Sequence, residues 1–261
     1  MTQPREEWTL DTKRLGRRVL VFDSLPSTND FAAKLARDSA NDGVAVITDM
    51  QTAGRGQHGR TWTAAPGSGV LMSLLLFPPE QLRRPAILTA WAAIAVCRTI
   101  QKMIGISARI KWPNDVLVHG KKVCGILIEQ GRGTVVGVGL NVSQTAADFV
   151  GADLPKAASL GQFVSSAPNT SDVARELLRQ LDDEFDSLLA GKVAALEASW
   201  QWHLGLLGRQ VSLECHSGVI AGLLSRLSFE AVAIERKEEP SVSLPPEKVL
   251  HITASESEPE A

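Results

Sequence analysis

Apolar residues recur along this chain at two different periods. They return every three or four positions from Thr28 to Ala40, Arg84 to Met103, Ser171 to Leu189 and Val193 to Trp202. That spacing puts one apolar stripe on a helix. Between these segments lie short apolar runs of strand length: 18–23, 44–49, 69–77, 107–112, 116–118, 123–128 and 135–142. The connections His119-Gly120-Lys121-Lys122 and Gln130-Gly131-Arg132-Gly133 are hairpin turns. Strands joined by tight turns run antiparallel. The pattern therefore predicts an α+β fold, a mostly antiparallel sheet with helices packed on one face. The run 69–77 reads as a strand buried on both faces. Gly205 and Gly208 mark a boundary, and 211–214, 219–225, 229–234 and 249–252 follow as the strands of a small β-barrel. Residues 1–15 read as a loose arm. The last residues, acidic and poor in apolar side chains, read as a disordered tail.

Composition narrows this picture. The chain has 261 residues, 44% hydrophobic and 21% charged, with a net charge of −2. Such a charge sets up no global field toward nucleic acid or anionic lipid. Cys97, Cys124 and Cys215 lie too far apart for a metal site or a disulfide framework, and predict buried, reduced thiols. The N-terminus has no apolar signal core. The apolar stretch 86–100 is too short to span a bilayer and is broken by Arg98.

Three stretches carry candidate chemistry. Gln51 to Trp62 holds Gly54, Gly56 and Gly59 interleaved with Arg55, His58 and Arg60. It is either a solvated surface hairpin or a concavity of backbone N–H groups, with arginine forks, for phosphate or carboxylate. It matches neither the P-loop nor the dinucleotide fingerprint, since no helix follows its glycines. In Lys111-Trp112-Pro113-Asn114-Asp115, Pro113 holds Trp112 extended and ends the strand. Lys111 is then either a solvated charge or a cation at a phosphate or oxyanion. Asn114 and Asp115 either cap the turn or approach a metal or ribose. In Gly137-Val138-Gly139-Leu140-Asn141-Val142 the glycines call for close backbone approach, and an inward Asn141 needs hydrogen-bond partners, which an adenine edge would supply. Ser27 with Asp30 is a helix N-cap signature, and a helix N-terminus also offers N–H donors to a ligand.

Together these segments resemble the biotin protein ligases. The resemblance runs from about residue 18 to 252. It rests on Ser27-Thr28-Asn29, the Gln51–Trp62 loop, Lys111-Trp112-Pro113-Asn114-Asp115, Lys122-x-x-Gly125-Ile126-Leu127-x-Glu129 and Gly137-x-Gly139-x-Asn141-Val142. It implies a class II synthetase-like α+β catalytic domain (16–206) and a small SH3-like C-terminal domain (207–253), flanked by an arm at 1–15 and a tail at 254–261. Ser27, Thr28, Asn29 and Gln51 would meet the ureido ring of biotin. Arg55, Gly56 and Gln57 would follow the biotin carboxylate and the α-phosphate. Gly54, Arg60 and Trp62 would complete the adenylate loop. Lys111 would be the principal catalytic cation, Lys122 an assistant at the phosphates, and Asn141 the adenine ligand. The implied reaction uses ATP and Mg²⁺ to make biotinyl-5′-AMP. Biotin then passes to a lysine of a biotin carboxyl carrier protein, such as that of acetyl-CoA carboxylase.

Gln57 stands where family members often carry arginine, and Ala157-Ala158-Ser159-Leu160 stands where some carry tryptophan. The ligase signature begins within about the first twenty-five residues, so the resemblance implies the form without a DNA-binding domain. The expectation is a cytoplasmic monomer or homodimer acting on neither DNA nor membranes. The rivals are a lipoate–protein ligase of the same superfamily, a non-catalytic biotin-binding protein, and a nucleic-acid module using Arg55 and Arg60. Net acidity and the lack of a basic stripe weigh against the last.

Overall fold

A computed structural model describes residues 3–237 and 239–255. In chain order the first sheet contains β1 (Glu6–Trp8), β2 (Val19–Leu25), β3 (Ala45–Gln51), β4 (Gly69–Leu76), β5 (Arg109–Lys111), β6 (Asp115–Val118), β7 (Lys121–Gln130) and β8 (Thr134–Asn141). The helices are α1 (Thr28–Leu35), α2 (Pro85–Ile104), α3 (Ala146–Gly151), α4 (Thr170–Leu189) and α5 (Val193–Leu204). The sheet order is β1-β2-β3-β4-β8-β7-β6-β5. Every neighbouring pair is antiparallel except β2 and β3, which are parallel because α1 forms the crossover between them.

The helices do not all pack on one face. Strand alternation sends Val19, Val21, Ala45 and Ile47 to the side that holds α2 and α4. It sends Leu20, Phe22, Val46 and Leu75 to the other side, against Phe31, Ala32, Leu35 and Ala36 of α1. This departs from the one-face expectation, and β4 is buried along its whole length because both faces are covered. Helix α2 is long and apolar enough to cross a membrane, yet Leu88, Trp91, Ile94 and Ile100 are wholly buried in the core. Each such side chain contributes roughly 1.5–3 kcal/mol through burial. Trp91 donates Nε1–H to Leu181 O of α4 at 3.1 Å.

Three boundaries differ from the pattern for identifiable reasons. Helix α1 ends at Leu35 rather than Ala40, because Asp38 caps Ala40 N and Asn41 donates to Leu35 O. The N-terminal segment is no loose arm. β1 pairs with β2, and the Asp182 carboxylate of α4 accepts the backbone N–H groups of Lys13, Arg14 and Leu15 at 2.6–2.9 Å. Helix α3 falls where the pattern shows no element, and its signal is the capping box Thr145–Asp148.

The second sheet is antiparallel and runs β9 (Gln210–Cys215), β10 (Gly218–Leu227), β11 (Val232–Glu235), β12 (Val242–Leu244) and β13 (Val249–Ala254), in the order β12-β11-β10-β9-β13. Gly205, at φ +60°, ends α5 and starts the passage into it. Phe229 sits in the turn before β11, not in the strand, and stacks on Trp200 of α5 at 5.1 Å. The expected tail at 254–261 begins with Ala254 inside β13, and residues 256–261 lie outside the described residues. The three cysteines are free and buried. Burial raises the Cys97 thiol to about 12 and also holds the Cys124 thiol well above its ordinary range.

Candidate active site

The ends of β2 and β3 and the N-terminus of α1 converge on a cavity of about 560 Å³ that reaches across β8 and β7 to the second sheet. It is lined by Ser27, Thr28, Asn29, Gln51, Arg55, Gly56, Gln57, Arg60, Trp62, Lys111, Lys122 and Asn141. Of the residues to which the resemblance gives a site role, Gly54 alone stays outside. A Cβ there would strike the Trp62 carbonyl and sit 2.8 Å from the Gln51 amide, so Gly54 serves the fold of the loop.

The floor is a polar network built from the first turn of α1. Ser27 caps the helix, accepting Asp30 N at 3.4 Å. Thr28 donates both N–H and Oγ1–H to Gln51 Oε1 at 2.8 and 3.1 Å. Ser73 of β4 bonds Thr28 Oγ1 and Asn29 Oδ1, and Asn29 Nδ2 donates to Glu129 at 2.7 Å. Ser27, Thr28 and Asn29 are 3–5% exposed. Buried polar side chains fixed to one another in this way hold their remaining donors and acceptors in place. Gly137 is required beneath them, since a Cβ there would collide with the Asn29 amide.

The glycine–arginine loop is folded over the cavity as a small hairpin. Gly56 N donates to Arg60 O at 2.7 Å and Trp62 N to Gly54 O at 3.0 Å. Residues 57–59 make a 3-10 turn with His58 at φ +55°. Arg55 anchors the hairpin, donating to Asp30 at 2.8 Å and to both oxygens of Glu129 at 3.0 Å. The Arg55 hydrogen bond holds the Asp30 carboxyl below its ordinary value. The loop then delivers Trp62 onto Gly139 and Gly125, where a side chain would occupy the place of the indole. Trp62 Nε1 is buried with no hydrogen-bond partner among the described residues.

The two lysines differ. Lys122 Nζ lies 2.6 Å from Asp115 Oδ1 and 5.6 Å from the Trp62 ring centroid, half-buried in the wall. Lys111 is exposed at the end of β5, with no ion pair among the described residues. Asn114 donates to Ile126 O at 2.7 Å, so it braces the turn and Asp115 sets Lys122. The Trp112–Pro113 peptide is cis. Asn141 is 5% exposed and already has partners within the chain, Ala158 O at 3.0 Å and Gln144 Nε2 at 3.2 Å.

Several contributors have no role in the site implied by the sequence, Glu129 among them although it belongs to the Lys122 motif. Glu129 links Arg55 to Asn29, and Phe149 of α3 brings an aromatic ring to the lining. Glu214, His251, Ile252 and Thr253 come from the second sheet. Only Glu129 had a local signal, as a carboxylate in an apolar strand. The others depend on chain segments that meet at long range.

An α+β domain with a polar-floored, cation-walled cavity at its strand ends suits an elongated anionic substrate, and that is the class this fold and site define. The sequence model for "Biotin/lipoate A/B protein ligase family" matches residues 21–143. The bifunctional ligase/repressor BirA of Bacillus subtilis is 32% identical over 236 residues, covering 88% of this chain and 73% of that protein. The biotin–[acetyl-CoA-carboxylase] ligase of Mycobacterium tuberculosis is 35% identical over 190 residues, covering 69% and 70%. The biotin protein ligase of Aquifex aeolicus in complex with biotin and ATP superposes with a TM-score of 0.77 at 24% identity, covering 91% of this chain and 99% of that one. The chain belongs to the biotin/lipoate protein ligase family, among its biotin ligases.

Proposed function

We infer that this enzyme activates biotin with ATP to biotinyl-5′-AMP and transfers the biotinyl group to a lysine of a biotin carboxyl carrier protein. The observation that carries the site assignment is the single cavity in which the polar floor, the folded glycine–arginine loop and Lys122 meet. In this reading the ureido ring binds Ser27, Thr28, Asn29 and Gln51. The chain of biotin lies under Trp62, whose unpartnered Nε1–H faces ligand.

The first step brings a carboxylate onto a phosphate, so positive charge must offset two approaching anions. Burial over Trp62 and fixation by Asp115 favour Lys122 as the cation at the reacting carboxylate, with Lys111 at the more exposed phosphates. This reverses the ranking that the resemblance implied. Arg55, Gly56, Gln57 and Arg60 follow the α-phosphate along the loop. The nucleotide lies toward Asn141, with Phe149 as the aromatic wall for adenine. Because Asn141 already has partners, it uses its remaining amide N–H and lone pair for the base. Asp115 is the cavity carboxylate that would help hold a Mg²⁺ ion, which would supply further charge neutralisation at the nucleotide's phosphates. Magnesium held mainly by substrate phosphates needs only one or two protein carboxylates. No group of three metal-ligating side chains occurs among the described residues.

The proposed setting is a cytoplasmic enzyme, monomer or homodimer, that acts on a protein carrier and not on DNA or membranes. Incubation with ATP, biotin and a carrier domain should give biotinylated carrier and pyrophosphate. Replacing biotin with lipoate should give neither. Modification by lipoate alone would transfer the reading to the lipoate branch, and no modification by either would leave a binding protein.

A further inference from the structure

The second half-reaction sets a problem that the catalytic-domain wall does not solve. A lysine side chain arrives as an ammonium at neutral pH and must lose a proton before it can attack. The charged and titratable groups lining the cavity from the first sheet and its loop are Arg55, His58, Arg60, Lys111, Asp115 and Lys122. Four of these are permanent or strongly basic cations, which repel an ammonium. Asp115, the carboxylate among them, is ion-paired with Lys122 at 2.6 Å.

The part of the lining that comes from the second sheet has a different character. Glu214 of β9 and His251 of β13 are directly opposed in the antiparallel ladder of the second sheet. Directly opposed residues project from the same face, and both line the cavity, where Ile252 and Thr253 join them. Glu214 is exposed, His251 is half-buried, and neither enters an ion pair among the described residues. A free carboxylate beside an imidazole repels a triphosphate and attracts an ammonium. The lining thus draws its cations from the first sheet and its loop, and a carboxylate–imidazole pair from the second sheet.

We propose that the Glu214–His251 pair receives the carrier's lysine: Glu214 draws in and orients the ammonium, and His251 takes its proton. The inference rests on the ligase reading above. The imidazole accepts one proton from the ammonium, and the freed amine attacks the acyl carbon of the biotinyl-adenylate. The C–N bond forms and the C–O bond to AMP breaks. The second amine proton leaves with the AMP phosphate, and the imidazolium returns its proton to solvent.

The test uses the full chain loaded with biotin and ATP, followed by single-turnover transfer to a carrier domain. Hydroxylamine serves as a parallel acceptor because it is already neutral at neutral pH. In His251→Gln, transfer to the carrier should fall by at least about a hundredfold relative to hydroxylamine discharge, the lower end of the range for loss of a proton acceptor. Raising the pH toward the lysine's own range should recover the rate, since the amine then needs no acceptor. Glu214→Gln should raise the carrier concentration needed for half-maximal transfer several-fold. Carrier and hydroxylamine rates that fall in equal proportion, an unchanged carrier rate, or a loss that higher pH does not recover would each overturn the proposal. A wild-type chain that makes no adenylate, or transfers none, would overturn the ligase reading itself.

Discussion

Lys111 and Lys122 show how little a residue's type says about its work. Both are lysines near strand ends, and the sequence favoured the one in the more distinctive motif. The structure leaves Lys111 in solvent and fixes Lys122 against Asp115 and the Trp62 face. A held charge stabilises a transition state without reorganising, and a solvated one does not. Lys122→Ala should therefore slow pyrophosphate release by at least about a hundredfold, the range for loss of one preorganised group. Lys111→Ala should cost about tenfold. The reverse order in a pyrophosphate assay would return the principal role to Lys111.

At the scale of the element, the glycine–arginine loop is a hairpin latched at one point. Its glycines let it turn tightly and give it little packing of its own, so its position depends on Arg55 and the carboxylates of Asp30 and Glu129. These groups are all at least 39% exposed. Such pairs add little to global stability, yet they decide where the loop sits. Glu129→Gln should leave the denaturation midpoint nearly unchanged, speed tryptic cleavage after Arg60, and speed escape of biotinyl-adenylate. Equal cleavage rates in variant and wild type would show that the loop is held elsewhere. The pH dependence has a definite sign. Asp30 has a depressed pKa, so its contribution is full above its ordinary value of 3.8 and is lost as pH falls through the lowered one. Hydrogen exchange in residues 54–62 should thus show the latch intact throughout the neutral and mildly acidic range.

The whole molecule joins two sheets through one motif. Trp112 lies between the site's Lys111 and Pro113, and its Nε1–H donates to Val249 O of β13 at 2.9 Å. Its ring meets Trp200 at 5.6 Å, and Trp200 meets Phe229. The second sheet is thereby seated where β9 and β13 wall the cavity. Trp112→Phe keeps an aromatic and leaves a buried carbonyl unpaired, which costs about 1–3 kcal/mol. Chemical denaturation should show that loss. Carrier transfer should fall more than adenylate formation, because the second sheet is displaced from the mouth. A stability loss with transfer and adenylation equally affected would reduce Trp112 to a core residue.

The periodic pattern by itself determined most of the elements, the antiparallel hairpins from Lys111 to Val142 and the change of architecture after Gly205, because local spacing and turn chemistry specify them. Motif order determined the family and most of the cavity lining, since Ser27-Thr28-Asn29, the loop and the Lys122 strand all border one cavity. Other features were decided at long range. Asp182 ordered the N-terminal segment from more than 160 residues away. Alternation on β2 and β3 left α1 on the face opposite α2 and α4. The fixing of Lys122 by Asp115, the Arg55 latch and the entry of Glu214 and His251 into the cavity all depend on which strands become neighbours. A local pattern cannot encode those neighbours, because pairing of distant strands is fixed only when the two hydrophobic cores close together.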